Sequence, residues 1–229
     1  MRQKGIIIAI DGPTASGKST TACEVAKQLG YIHINTGAMY RAFALYASEW
    51  GVDLTSDERI PELAEKAYLD FDENGSILLE GRDVTKDIQA PEIAQLASEL
   101  ATLPVVREKM VALQQEIGKD GGAVLDGRDI GTVVFPDAEL KIFLIANAKT
   151  RAERRKLELA HAGNDISLHE LITQIEDRDR RDSERELSPL RKAQDAIELD
   201  TSKLTLEEQV GKVVTLAKKR MQIPVAAGL

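Results

Sequence analysis

Residues 6–19 read Ile6-Ile7-Ile8-Ala9-Ile10-Asp11-Gly12-Pro13-Thr14-Ala15-Ser16-Gly17-Lys18-Ser19. The first five are a short, unbroken apolar run. Such runs mark strands buried on both faces, as in parallel sheets. Gly12 to Ser19 then fits G-x-x-x-x-G-K-[ST] in full, and a helix-like stretch, Ser19 to Leu29, follows. The two glycines let the backbone turn sharply and approach an anion without a Cβ clash. Successive N–H groups then form an anion nest, and the helix N-terminus adds its dipole to the same place. Lys18 brings positive charge to β- and γ-phosphates, and Ser19 offers a hydroxyl to Mg²⁺. Strand, loop and helix together predict a nucleoside triphosphate site over Gly12, Pro13, Thr14, Ala15, Ser16, Gly17, Lys18, Ser19 and Thr20.

Three more apolar runs lie further along: Ala123-Val124-Leu125, Leu140 to Ile145, and Ala196-Ile197-Glu198-Leu199. Helix-like stretches alternate with them at Lys149 to Ala160 and Leu206 to Lys219. This alternation predicts an α/β fold with a parallel sheet and helices on both faces. From about Asp57 to about Ala90 the rhythm breaks. That charged segment holds a candidate hairpin, Ala67 to Phe71 and Ser76 to Glu80 around a turn at Glu73-Asn74-Gly75. It predicts a small inserted subdomain. Pro91 opens a helix-like run, Glu92 to Leu100, and a further helix is expected from about Val105 to Ile117. Met221 to Leu229 has weak patterning and reads as a loose tail.

The 229 residues suffice for one α/β domain with an insertion. Thirty Lys and Arg against 38 Asp and Glu give a formal net charge of -8. So acidic a chain is a poor general binder of nucleic acid or anionic membrane. Aromatics at 4% are too few for a base-stacking surface. Cys23, the one cysteine, permits no internal disulfide and no zinc spacing, and is expected in the core of the first helix. The N-terminus lacks a signal-peptide pattern and the apolar runs are too short to span a bilayer, so the cytoplasm is the expected compartment. A monomer is expected because no heptad seam is visible.

Phosphate loops serve switches, motors and metabolite kinases alike. A GTPase would need N-K-x-D, and Asn147-Ala148-Lys149-Thr150 does not match it. Arginines point instead to a transfer enzyme with two phosphate-bearing substrates, because guanidinium is always charged and bidentate. Arg41 follows Thr36-Gly37-Ala38-Met39-Tyr40. Arg128 lies in Asp126-Gly127-Arg128-Asp129, just past a strand. Arg151, Arg154 and Arg155 share one helix. Arg178, Arg181 and Arg185 lie in a nearly all-charged stretch, where helical spacing puts the three along one face. A solvated face with an Asp177–Arg181 ion pair is the bland reading; Arg181 and Arg185 at the same spacing would repel, unless an anion sits between them. Asp11, Asn35 and Asp126 are expected near the loop at the carboxyl ends of strands. Asp126 either orients a Mg²⁺-bound water or holds Arg128. Asp129 on its own could equally be a helix cap. His33, His161 and His169 receive no role. A kinase for another acceptor, such as UMP, AMP or shikimate, and a nucleotide switch without an acceptor both stay open on these residues alone.

Over nearly its whole length the sequence resembles the bacterial cytidylate kinases. The matching strings are Ile10-Asp11-Gly12-Pro13 leading into the loop, Thr36 to Arg41, Asp126 to Ala138, and Arg178-Asp179 through Ser188-Pro189-Leu190. The resemblance implies a P-loop core (about 1–36, 118–160 and 190–220), an inserted acceptor-binding subdomain (about 37–117) and a helical lid (about 161–189), with 221–229 as tail. It implies ATP and Mg²⁺ on one side and CMP or dCMP on the other. By similarity Thr36, Tyr40, Arg41 and Arg128 hold the acceptor phosphate. Ser98, Arg107 and Asp129 read the base. Arg178, Asp182 and Arg185 contact the acceptor from the lid. Lys18, Arg128, Arg154 and Arg181 serve the transferring group, and Ser19 and Asp126 the metal. Cytosine suits that set, since its N4 amino group needs an acceptor and its O2 and N3 need donors. The family often has Ser where Thr36 stands, which preserves the hydroxyl.

Overall fold

A computed structural model describes residues 2–52, 58–72, 75–161 and 166–222. Its elements in chain order are β1 (Ile7–Asp11), α1 (Lys18–Leu29), β2 (Ile32–Asn35), α2 (Thr36–Glu49), α3 (Ile60–Lys66), β3 (Leu69–Phe71), β4 (Ile77–Leu79), β5 (Arg82–Asp83), α4 (Pro91–Leu100), α5 (Pro104–Gly118), β6 (Ala123–Gly127), β7 (Leu140–Ile145), α6 (Ala148–His161), α7 (Leu168–Glu184), β8 (Ile197–Asp200) and α8 (Leu206–Gln222). They divide into two compact units, Met1–His33 with Asp120–Leu229, and Ile34–Lys119.

The first unit is built on a five-stranded sheet of order β2-β6-β1-β7-β8. β1 runs parallel to β6 and β7, and β7 parallel to β8. The reason β1 takes the centre is in its composition. Ile7 to Ile10 are wholly buried, so both faces need cover. On one face Ile6, Ile8 and Ile10 pack with Ala22, Val25 and Ala26 of α1 and Val210, Val213, Val214 and Ala217 of α8. α1 buries Lys18, Thr21, Ala22, Val25 and Ala26, a stripe at helical spacing. Cys23 falls on the other side of that stripe and is exposed, so it is no core residue.

A carboxylate ties β1 to the turn after β6. Asp11 accepts from the backbone N–H of Ile130 at 2.9 Å and of Gly131 at 2.8 Å. Burial pushes its pKa up from 3.8 to about 6, although the two N–H groups and Lys18 pull the other way. The folded chain therefore holds this proton more tightly than the unfolded chain does. That contribution is full below the unfolded value and is lost as pH rises through about 6. Relative to Asp11→Asn, the wild type should lose roughly 3 kcal/mol of stability between about pH 4 and pH 7. Denaturant melts of both proteins across this range check it, and a pH-independent difference would contradict it.

The second unit is led by α2, with Met39, Ala42 and Phe43 wholly buried. Asn35 caps this helix by accepting from Ala38 N–H at 2.9 Å. α2 packs on α4 and β4, and α3 on α5. The expected hairpin is present as antiparallel β3 and β4, with Leu69 opposite Leu79 and Phe71 opposite Ile77. Glu73 and Asn74 of its expected turn lie outside the described residues. A short third strand, β5, pairs with β4 and has no alternating pattern that would announce it. Pro91 and Pro104 stand at the starts of α4 and α5, where a missing N–H costs nothing.

Candidate functional site

In the first unit the loop between β1 and α1 has the backbone its sequence calls for. Gly12 has φ +153°, and a Cβ there would lie 2.2 Å from the Leu144 carbonyl oxygen. Gly17 has φ +89° and stands just ahead of α1. Ala15 also adopts a left-handed conformation, φ +56°, which a residue with a Cβ holds only under constraint from its surroundings. Lys18 is buried and its ammonium donates to the Pro13 carbonyl at 2.8 Å, folding back over the loop. Burial first, then the charges of Arg128 and Arg178, drive its pKa well below the usual lysine range, against the pull of Asp126 and Asp182. Thr14 and Ala15 are half-buried, Ser16 is buried and Thr20 is exposed.

Asp126, at the carboxyl end of β6, is buried beside this loop. Its Oδ2 accepts from Ser19 Oγ at 2.5 Å and its Oδ1 lies 2.7 Å from His33 Nε2. Burial alone would raise its pKa. The bonds from His33 and Ser19 and the charge of Lys18 outweigh that and hold it below the usual carboxylate value. His33 is thus a partner of the site, although nothing in its sequence context announces it; an apolar residue stands on either side. Among the described residues no group of three or more His, Cys, Asp or Glu side chains could hold a metal ion. The paired hydroxyl and carboxylate of Ser19 and Asp126 still suit Mg²⁺. That ion keeps several waters and takes one or two protein oxygens plus substrate phosphates.

Arg128 is held chiefly by Asp182. Its Nε donates to Asp182 on α7 at 2.7 Å and a terminal nitrogen donates to Thr14 Oγ1 at 3.0 Å. Burial opposes the charge, but Asp182 more than compensates and Arg128 is raised above its ordinary pKa. Asp182 is lowered in turn: Arg128, then Arg178 and Arg185, overcome its burial. Arg154 on α6 donates to the Ser16 carbonyl at 3.2 Å and to the Thr201 carbonyl at 2.6 Å. Its partial burial lowers its pKa.

The three late arginines do not share one helical face. Arg178 is half-buried on α7 and Arg181 is exposed on it. Arg185 lies beyond the helix in an extended conformation, with its Nε donating to the Ser188 carbonyl at 2.7 Å. The helix ends at Glu184, before a third arginine can join the stripe. Arg185 instead comes within 3.6 Å of Asp129, and both side chains are 8% exposed. Asp129 precedes the turn Ile130–Val134 but its side chain does not cap it. Asp177 pairs with Arg180 at 2.7 Å, not with Arg181.

The second unit carries the other candidates. Thr36 is the buried first residue of α2, with Tyr40 and Arg41, both half-buried, one turn further on. Arg107 of α5 is buried and its guanidinium stands 5.7 Å from the centre of the Tyr40 ring, a cation–π arrangement. It also donates to the Ala101 carbonyl at 3.5 Å. Ser98 is half-buried on α4.

Comparison with known proteins bears on the chain as a whole. Residues 8–219 match the family model described as cytidylate kinase. A curated protein named cytidylate kinase from Bacillus cereus (strain B4264) is 48% identical over 216 residues, covering 93% of this chain and 96% of that one. One of the same name from Bacillus thuringiensis (strain Al Hakam) is 49% identical over 214 residues, 92% of this chain and 95% of that one. Among solved structures, an uncharacterized protein from Eubacterium ventriosum ATCC 27560 superposes with a TM-score of 0.51 at 14% identity, covering 93% of this chain and 98% of that one. This last likeness bears on the fold alone.

Proposed function

This chain belongs to the cytidylate kinase family, and from that premise we propose that it transfers the γ-phosphoryl group of ATP to CMP or dCMP, giving ADP and CDP or dCDP. The observation that carries the reading is Lys18. Its buried ammonium folds back over the loop to the Pro13 carbonyl at 2.8 Å, with the charges of Arg128 and Arg178 acting on it, which is an arrangement suited to the β- and γ-phosphates of ATP.

In this reading Gly12 to Thr20 hold the triphosphate. Ser19 and Asp126 hold Mg²⁺, which would neutralise charge on the phosphates when bound. Lys18, Arg128, Arg154 and Arg181 stabilise the equatorial oxygens of the moving group. No protein nucleophile is required, because the acceptor phosphate already carries a negative oxygen. Thr36, Tyr40, Arg41 and Arg128 bind that phosphate. Asp129 accepts from cytosine N4, while Arg107 and Ser98 donate to O2 and N3. Arg178, Asp182 and Arg185 meet the acceptor from a lid of about residues 161–189. Its closure excludes water and suppresses ATP hydrolysis. Residues about 37–117 form the acceptor-binding part. We further propose a cytoplasmic monomer with no nucleic-acid or membrane partner. The acidic balance supports this, and among the described residues no helix is long and apolar enough to cross a membrane.

Coupled measurement of ADP release across CMP, dCMP, UMP, AMP, GMP and shikimate tests the assignment. CMP and dCMP should drive turnover at least about a hundredfold more efficiently than UMP, because a site built on hydrogen bonds leaves buried groups unpaired with the wrong base. Slow ATP hydrolysis indifferent to CMP would defeat it.

A further inference from the structure

Thr14 is gripped on three sides by groups from outside its loop. Its N–H donates to Asp179 Oδ1 on α7 at 2.8 Å. Its carbonyl accepts from Arg151 on α6 at 3.0 Å. Its hydroxyl accepts from Arg128. Arg151 and Asp179 also pair with each other, and their side chains are 9% and 18% exposed. None of the roles assigned above uses Asp179 or Arg151.

The grip has a directional consequence. Each peptide unit is planar and trans, so its C=O and N–H point opposite ways. Pro13 C=O accepts from Lys18, on the side where the lysine folds over the loop. The N–H of the same peptide unit, that of Thr14, therefore points away, to Asp179. In the next unit the C=O of Thr14 points to Arg151. Its partner, the N–H of Ala15, therefore points away from Arg151. Ala15 is the residue in the left-handed conformation. Such strain persists where the surroundings over-determine it; here the Asp179–Arg151 pair fixes the preceding residue, Thr14, and Ala15 itself packs against the cluster of Ala152, Leu171 and Ile175.

We propose that Asp179 and Arg151 are positioning residues that hold the outer edge of the phosphate loop, so that the Ala15 N–H faces the bound phosphates. Their mutual pairing neutralises the Asp179 carboxylate, which would otherwise repel those phosphates. The proposal rests on the reading of Gly12–Thr20 as the triphosphate site.

The test is ADP binding by titration calorimetry to the full chain, alongside kinetics. Wild type must bind ADP; failure there would defeat the triphosphate-site reading itself rather than this addition to it. Asp179→Ala should weaken ADP roughly tenfold, the scale of one lost hydrogen bond to a charged group. Asp179→Asn, which keeps an oxygen to accept from Thr14, should recover most of that loss. Arg151→Ala should repeat the selective loss, and KM for CMP should change little in each. A pair that merely supports the fold would lower the melting temperature and leave ADP affinity within about twofold, which overturns the proposal. Should a variant fail to fold, amide exchange in the wild type decides the matter: the Thr14 N–H should be protected without nucleotide, and free exchange there would refute the grip.

Discussion

Lys18→Ala should lower kcat for CMP phosphorylation by about a thousandfold or more while leaving the fold intact. In the proposed mechanism the ammonium is the charge brought to the β- and γ-phosphates, and loss of a single preorganised donor at developing charge costs on the order of a hundred- to a thousandfold. Stability should move the other way from most truncations of buried residues. Lys18 is buried, and burial together with Arg128 and Arg178 destabilises its charged form. Removing it relieves that repulsion, so the melting temperature should hold or rise. Initial rates with Mg²⁺ and ATP, paired with circular dichroism melts, check both halves. Unchanged turnover would sink the phosphate-loop assignment. A collapse of the fold would show instead that the lysine is structural.

The second large effect is expected at Asp129. Asp129→Ala should reduce kcat/KM for CMP by about a hundredfold or more and change the KM for ATP by less than about threefold. Cytosine N4 is a donor that would lose its acceptor, and a polar site built for one hydrogen bond discriminates strongly against its loss. Asp129→Asn sharpens the test. Its amide can donate to the O4 of uracil, so the ratio of UMP to CMP turnover should rise even as the CMP rate falls. Asp129 lies 3.6 Å from Arg185, so truncation also leaves that buried guanidinium with one fewer counter-charge. A melt is therefore needed beside the kinetics. Equal damage to CMP and ATP use would defeat the base-reading role.

The phosphate loop and the sheet were legible in the chain because their information is local. Ile6 to Ile10 is apolar without alternation, and only a strand covered on both faces uses such a run. Gly12 and Gly17 stand where the backbone takes positive φ, and a Cβ at Gly12 would strike the neighbouring strand. Helices α4 and α5 begin at prolines, as their sequences ask. β5 has no sequence signal because two residues carry no period. Cys23 lies outside the core because the buried stripe of α1 runs through Ala22 and Val25 and passes it by.

The charges are another matter. Composition and spacing show that Asp126, Arg128, Asp129, Arg178 and Asp182 exist and that helical geometry could align some of them. They do not say who pairs with whom. Asp126 finds His33, Arg128 finds Asp182, Asp129 finds Arg185, and Asp179 finds Thr14 and Arg151. Most of these partners are dozens of residues apart in the chain, and Thr14 and Asp179 are 165 apart. Periodicity reaches a few turns of helix; hydrogen bonds between distant segments depend on how the segments dock. The chain alone thus specifies a strand–loop–helix cradle at Gly12–Ser19 and the α/β frame that presents it. Packing of α7 beside that cradle gives Arg128 and Thr14 their partners, and the docking of β2 beside β6 gives Asp126 its own, because a buried charge is tolerated only where an opposite group meets it.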